Sequence, residues 1–216
     1  MRVIEKFISI NGEGMKQGEL AIFIRLEGCN LRCAYCDTTY SFINAKYSNE
    51  TVEEIVAYCI ESGIKNVTLT GGEPLIHDDV EELIKELYKN NFNIEVETNG
   101  SVDISKYKDL DKISFTLDYK TSCSKMDKFM NFDNYKYLKR IDSIKFVCAS
   151  HDDLVESLNI INKYQLIGKC NLIFSPVWGE IKLEDIVEFM KANKLNECKM
   201  QLQIHKIIWD KDTKGV

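Results

Sequence analysis

The chain lacks a fourth cysteine where three already stand together. Cys29, Cys33 and Cys36 fall within eight residues, spaced C-x3-C-x2-C; the next cysteine is Cys59 and the first histidine is His77. A zinc knuckle wants its fourth ligand at close spacing, so zinc is the weaker reading of this loop. Three thiolates also fall short of the four that fill a ferredoxin-type [4Fe–4S] shell, which leaves one iron with an open position. An open position on a metal centre is where a substrate or cofactor binds.

Other absences exclude whole classes. No apolar run approaches the ~20 residues of a membrane helix. The opening Met1-Arg2-Val3-Ile4-Glu5-Lys6 has no apolar h-region, so no secretory leader is expected. There is no surplus of positive charge: 28 Lys and Arg face 34 Asp and Glu, for a formal net charge of −6. That argues against nucleic acid as a main partner, because duplex binding draws on Lys and Arg. Cys59, Cys123, Cys148, Cys170 and Cys198 show no paired spacing and read as small buried hydrophobes, not as a disulfide framework. A reducing, cytoplasmic setting is expected. No repeat, low-complexity tract or linker interrupts the 216 residues. Residues 1–216 therefore read as a single domain, with 44% hydrophobic residues to build its core.

What is present alternates between strand and helix. Residues 3–10 and 21–26 read as strands rich in β-branched and aromatic residues. Between them, Gly12, Gly14 and Gly18 demand an unusual backbone path. The cysteine loop follows the second strand. A helix opens around 49–52 and runs to about Ser62, with Ile55, Val56, Cys59 and Ile60 on one face and Gly63 as its stop. Strand 66–70 breaks at Gly71-Gly72-Glu73-Pro74. Asp78 or Asp79 caps the next helix, whose buried stripe is Val80, Leu83, Ile84 and Leu87. Further strands are expected at 94–98, 113–117, 142–148, 171–174 and 200–204, with helices at 151–164 and 183–193. The charged stretch 106–112 reads as a solvated connection, and 119–133 as a loop or irregular helix. This pattern implies βαβ units, a parallel sheet and an α/β fold, with ligands at the carboxyl ends of the strands. The cysteines, Gly71-Gly72-Glu73-Pro74, Thr98-Asn99-Gly100, Asp118-Tyr119-Lys120 and Ser175-Pro176 all fall at such ends.

Each motif has an ordinary reading beside the chemical one. Arg25, on a strand just before the cysteines, is expensive to bury unless it grips an anion, and its fork suits a carboxylate. The competing reading is a structural ion pair with Glu13 or Glu27. Gly71-Gly72-Glu73-Pro74 alone is a strand-to-helix turn. About 35 residues after the cysteine loop, it reads as acceptors for a cationic amine. The tail Gln201-Leu202-Gln203-Ile204-His205-Lys206 alternates, so Gln201, Gln203 and His205 share a face suited to the edge of a nitrogen heterocycle. Otherwise it is an exposed edge strand.

The cysteine spacing, the aromatic Tyr35 and Gly71-Gly72-Glu73-Pro74 resemble the radical S-adenosylmethionine (SAM) enzymes. In that superfamily, SAM occupies the fourth iron and is cleaved to a 5′-deoxyadenosyl radical that abstracts hydrogen. Residues Phe7–Gly14, Phe23–Cys33, Cys36-Asp37-Thr38, Glu97–Gly100, Ser175-Pro176 and the 201–206 tail together resemble one family within it, the 7-carboxy-7-deazaguanine synthases. The resemblance implies an incomplete (β/α) barrel with parallel strands, a cluster loop at 28–48 and a substrate-site tail at 200–216. It also implies ring contraction of 6-carboxy-5,6,7,8-tetrahydropterin to 7-carboxy-7-deazaguanine and ammonia, by a homodimer fed by a flavodoxin- or ferredoxin-like reductant. By match, Cys29, Cys33 and Cys36 hold the [4Fe–4S] cluster, and Thr38 ligates Mg2+. Tyr35, Cys36, Asp37, Gly72, Glu73, Gly100, Lys120 and Ser175 surround SAM. Ile10, Asn11, Gly12, Glu13, Arg25, Thr98, Gln203 and His205 surround the pterin, with Arg25 and Glu13 nearest the chemistry. The family usually has Gln where this chain has Asn11, which shortens that amide's reach. A glycyl-radical activating enzyme shares the cysteine spacing but needs neither Arg25, Thr38 nor the tail. A non-enzymatic iron–sulfur or zinc module predicts no SAM binding.

Overall fold

Alternation within the strands decides which face of the sheet is dry. Along β5 (Asn93–Thr98), Ile94 and Val96 alternate with Glu95 and Glu97; β6 (Ile113–Tyr119) and β7 (Ser143–Cys148) repeat the pattern. Successive side chains point to opposite faces, so one face is apolar and the other polar. The apolar set enters one continuous hydrophobic core, joined by Ile22, Ile24 and Leu26 from β2 (Leu20–Leu26) and Val67 and Leu69 from β4 (Asn66–Gly71).

The computed structural model, which describes residues 1–216, places nine strands in one open sheet of order β3-β1-β2-β4-β5-β6-β7-β8-β9. The remaining strands are β1 (Arg2–Ile10), β3 (Ser48–Asn49), β8 (Asn171–Pro176) and β9 (Cys198–Met200). From β2 to β9 every neighbouring pair is parallel, as an incomplete barrel requires. The first strand departs from the expected parallel order. β1 is antiparallel to both β2 and β3; for β2 the reason is that residues 11–19 are too few for the crossover that parallel strands need.

Helices α1 (Val52–Ser62), α2 (Val80–Lys89), α3 (His151–Lys163) and α4 (Leu183–Ala192) connect the parallel strands. The Thr51 hydroxyl accepts the Glu54 N–H, the Glu54 carboxylate accepts the Thr51 N–H, and Gly63 ends α1 at φ +71°. Ile55, Val56 and Cys59 are buried, but Ile60 is 54% exposed. At 100° per residue, Ile60 lies 140° around from Ile55 and past the edge of the stripe. In α2 the stripe Val80, Leu83, Ile84 and Leu87 is buried as expected, whereas neither Asp78 nor Asp79 makes a capping bond.

Two other expectations change, and one for 119–133, a loop or irregular helix, is met. The last strand stops at Met200 and not at Ile204, and a short helix α5 (His205–Ile208) follows. Tyr107 is buried in the core, so 106–112 is not wholly solvated. Residues 119–133 carry short 3-10 turns, pinned by Asn134, whose amide bonds the carbonyls of Gly100 and Val102 and accepts the Ile104 N–H. Of the scattered cysteines, Cys59, Cys148 and Cys198 are buried, while Cys123 and Cys170 are half-buried.

The register of α1 has a direct consequence. Ile55→Ala should cost about 2–5 kcal/mol, the range for truncating a buried aliphatic side chain, and Ile60→Ala should stay within about 0.5 kcal/mol. Urea unfolding of the two variants checks this.

Candidate active site

The site is built where two loops meet at the carboxyl ends of β2 and β4. The Gly72 N–H donates to Leu26 O (3.2 Å) and the Glu73 N–H to Gly28 O (2.8 Å). A Cβ on Gly72 would stand 2.2 Å from Gly28 O and 2.8 Å from Cys29 Cβ; on Gly71, at φ +151°, it would stand 2.3 Å from Leu26 O. The glycines therefore let this turn lie directly against the cysteine loop. Glu73 is 0% exposed. Its Oε1 accepts from the Leu75 N–H (3.0 Å) and the Thr98 hydroxyl (2.9 Å), and its Oε2 from the Asn99 N–H (2.6 Å). Burial pushes its carboxyl up to about 7, against the pull of those donors.

This corrects the expectation that the Glu73 carboxylate faces an amine ligand. Both oxygens turn inward, because the side chain ties the end of β4 to the end of β5. Gly71 and Gly72 do line the adjoining cavity, of roughly 710 Å3, so the turn offers main chain there. Gly100 is likewise a support and not a lining residue. At φ +75° its N–H donates to Thr98 Oγ1 (3.2 Å), and its carbonyl accepts from Asn131 and Asn134.

Cys29, Cys33 and Cys36 are half-buried and line this one cavity. Cys29 Sγ accepts from the Leu31 N–H (3.4 Å) and from Asn99 Nδ2 (3.8 Å). Burial pushes the Cys33 and Cys36 thiols up, and the enclosed Lys120 ammonium opposes it. A bound metal centre reverses that balance, since a coordinating thiol is deprotonated outright. A cubane takes each thiolate on a different iron, and three cavity-facing thiols with N–H donors at one sulfur fit that arrangement. Tyr35, Asp37, Lys120 and Ser175 line the same cavity.

The polar face of the sheet forms the cavity floor. Arg25 Nε donates to Glu5 Oε1 (2.7 Å), which also accepts from the Tyr40 hydroxyl (3.0 Å). Its ion-pair partner is thus neither Glu13 nor Glu27; Glu27 pairs with Arg2 at 3.1 Å. The terminal nitrogens of Arg25 make no hydrogen bond within the chain, and the residue lines the cavity. Phe7 and Phe23 stack beside it, with centroids 4.9 Å apart. Thr98 reaches the cavity only at the strand end, because it falls in register with Ile94 and Val96 and its hydroxyl is given to Glu73; the floor is lined by Glu97, Asp118 and Lys145. These last three side chains were missed as site residues. A signal was available: parallel strands are usually apolar on both faces, so charges alternating through Ile94-Glu95-Val96-Glu97 and Ile144-Lys145-Phe146 mark a face that opens on a cavity.

Ile10, Gly12 and Glu13 reach the cavity, and Asn11 does not. Asn11 is 2% exposed; its Oδ1 accepts from the Thr68 hydroxyl (2.8 Å), and its Nδ2 has no partner. β4 holds the short amide beneath the loop, away from any ligand in the cavity.

The tail folds over the same loop. Gln201 brackets Gly14, accepting its N–H and donating to its carbonyl, both at 2.8 Å. Gln17, also missed, donates to Gly12 O (2.9 Å) and Leu202 O (2.6 Å). These bonds pull 201–204 out of strand geometry, and they make Gln201 a clamp instead of a reader. Gln203 and His205 do line the cavity. Gln203 donates to Glu13 Oε1, and a Cβ on Gly12 would meet the His205 ring at 1.9 Å. Burial holds the imidazole below its usual pKa. Lys206 pairs with Asp37 Oδ2 (2.9 Å), and the Thr38 hydroxyl donates to Asp37 Oδ1 (2.9 Å). The Asp37 side chain is 59% exposed, and Lys206 and these hydrogen bonds hold its carboxyl at about 2.

The radical SAM superfamily model matches residues 23–193. A 7-carboxy-7-deazaguanine synthase of Clostridium acetobutylicum is 49% identical, across 100% of this chain and 99% of its own. One from Thermoplasma acidophilum is 33% identical, across the whole of both chains. The crystal structure of QueE from Escherichia coli shares the fold, with a TM-score of 0.75 at 21% identity over 93% of this chain and 92% of that one.

Two outcomes follow from the geometry. Gly72→Ala should lower iron loading on anaerobic reconstitution several-fold, because the new methyl collides with backbone that cannot swing away; iron and sulfide content measures it. Glu95 is 2% exposed, with Oε2 unpartnered and Oε1 accepting from the Thr116 hydroxyl. Burial pushes its carboxyl up to about 7 from 4.5, reinforced by Glu97. A raised folded-state value contributes stability that is full below about 4.5 and lost as pH climbs through about 7. Unfolding free energy should fall from pH 5 to pH 8, and Glu95→Gln should narrow the drop by roughly 1–3 kcal/mol.

Proposed function

The chain belongs to the 7-carboxy-7-deazaguanine synthase family of radical SAM enzymes, and from that premise we propose how its own residues run the family's ring contraction. The substrate is 6-carboxy-5,6,7,8-tetrahydropterin, and the products are 7-carboxy-7-deazaguanine and ammonia, in 7-deazaguanine (queuosine) biosynthesis. The observation that carries this reading is one cavity holding three thiols on its wall and the free fork of Arg25 on its floor.

Cys29, Cys33 and Cys36 hold the cluster. The cluster and SAM, when bound, supply one-electron hydrogen-abstraction chemistry. Main chain at Gly71-Gly72 accepts from the SAM amine, with Tyr35, Asp37, Lys120 and Ser175 around the rest. Arg25 grips the substrate carboxylate with the nitrogens that Glu5 leaves unused, and Glu5 fixes the angle of the fork. Glu13 accepts N–H groups of the pterin. Neutral His205 and Gln203 border the heterocycle, and Thr98 lies beside them on the strand ends. Thr38 and Asp37 put a hydroxyl and a carboxylate at the cavity wall, the oxygen donors that Mg2+ prefers. The working form is a cytoplasmic homodimer served by a flavodoxin- or ferredoxin-like reductant.

An anaerobic assay with the tetrahydropterin, SAM and reductant tests the reading. The carboxydeazaguanine should form while SAM is regenerated; steady accumulation of 5′-deoxyadenosine would point instead to a glycyl-radical activating enzyme. Electron paramagnetic resonance of the reduced protein should change on adding SAM, and a colourless, unresponsive zinc protein would end it. Arg25→Ala should keep iron loading and the SAM response and lose at least about a hundredfold in turnover, the loss for removing a charge-assisted grip of about 3 kcal/mol.

A further inference from the structure

Lys145 sits in the middle strand of the polar floor and is 8% exposed. Its Nζ lies 2.5 Å from Glu13 Oε2 and 3.0 Å from Asp118 Oδ1. Asp118 is its register partner across β6 and β7, and Asp118 Oδ2 pairs with Lys120 at 2.9 Å. Gln203 donates to the other oxygen of Glu13. Glu13 itself lies on the irregular stretch between β1 and β2, flanked by Gly12 and Gly14. No secondary structure sets its side-chain direction. The clamp from β7 does.

We propose that Lys145 is a positioning residue that holds the Glu13 side chain aimed at the substrate. This rests on the assignment of Glu13 to the pterin. The pterin edge presents N–H donors, so it needs a charged acceptor and not a protonated carboxyl. Around Lys145 stand three acids: Glu13 from the loop after β1, Glu97 from β5 and Asp118 from β6. Lys120 faces Asp118 from beyond, and Glu95, Asp37 and His205 complete the titratable surroundings. Burial alone would deprotonate Lys145, but Asp118, Glu13 and Glu97 hold it charged. Without that cation, the three acids face one another in an enclosed space and take up protons, because like charges raise carboxylate pKa values.

The test compares Lys145→Met and Lys145→Arg with wild type, all reconstituted anaerobically. In Lys145→Met, kcat/KM for the tetrahydropterin should fall on the order of thirtyfold, the low end for removing one partner of a buried hydrogen-bonded charge pair. The loss should appear mainly in KM, and the acid limb of the pH profile should move upward. Lys145→Arg should keep the acid limb in place. Wild-type KM and acid limb in Lys145→Met, whatever its melting temperature, overturn the proposal. Should the methionine variant not take up iron, the arginine variant decides: an acid limb displaced upward despite the retained charge overturns it. The carboxyl resonance of Glu13 in 13C-glutamate-labelled protein gives a readout without turnover. It should move in Lys145→Met and keep its wild-type position in Lys145→Arg; an unmoved signal in Lys145→Met overturns the proposal. If wild type fails to convert the tetrahydropterin, the functional reading falls, while this resonance still decides what Lys145 does to Glu13.

Discussion

Everything in the site depends on the contact between the cysteine loop and the Gly71-Gly72-Glu73-Pro74 turn. Two main-chain hydrogen bonds join them, and no side chain fits between. Beneath the join, the fully enclosed Glu73 gathers the Leu75 and Asn99 N–H groups and the Thr98 hydroxyl. One carboxyl group thereby fixes the ends of β4 and β5 relative to the cysteines. An unpaired buried carboxylate would be costly; three donors make it a rigid staple. Asn99 continues the chain by donating from its side chain to Cys29 Sγ and Asn30.

The second constraint is electrostatic. The sheet has one oily face and one polar face, and the polar face opens on a cavity that the tail helps to line. Charges placed there lose water and must be paired. The floor accordingly runs Glu13, Lys145, Asp118, Lys120 in alternating sign. Arg25 is the exception, since Glu5 satisfies only its Nε. An enclosed guanidinium with unused N–H groups is where an anion gains most. The C-terminal segment closes the opposite side, through Gln201 on Gly14, His205 on Gly12 and Lys206 on Asp37. The loop between β1 and β2 and the Asp37 end of the cysteine loop are thus tied by one stretch of chain.

The strand–helix alternation, the three thiols with no fourth, and the motifs at strand ends were legible in the residues themselves, because period, spacing and turn chemistry are local properties. So was the buried stripe of α2. Side-chain partners were not local. Arg25 meets Glu5 only because β1 and β2 pair antiparallel with Arg25 opposite Glu5, and Glu13 meets Lys145 across 132 residues of sequence. The tail's alternation suggested a strand, yet hydrogen bonds to the 11–18 loop outweighed that propensity. Asn11 and Glu73 read as ligand contacts in the sequence, yet both lie buried and paired within the chain, since burial and pairing depend on what the fold brings beside them.

By itself, then, the sequence determined the chemistry available: three close thiols with no fourth beside them, an α/β sheet with its motifs at one rim, and residue types suited to a carboxylated heterocycle. Only the tertiary structure decided the division of labour, setting Arg25, Glu13, Gln203 and His205 on the cavity and Glu73, Gly100, Asn11 and Gln201 behind it. The physical reason is that a residue's type is written in the chain, whereas the exposure and partners that turn a carboxylate into a ligand or a staple exist only once distant segments pack.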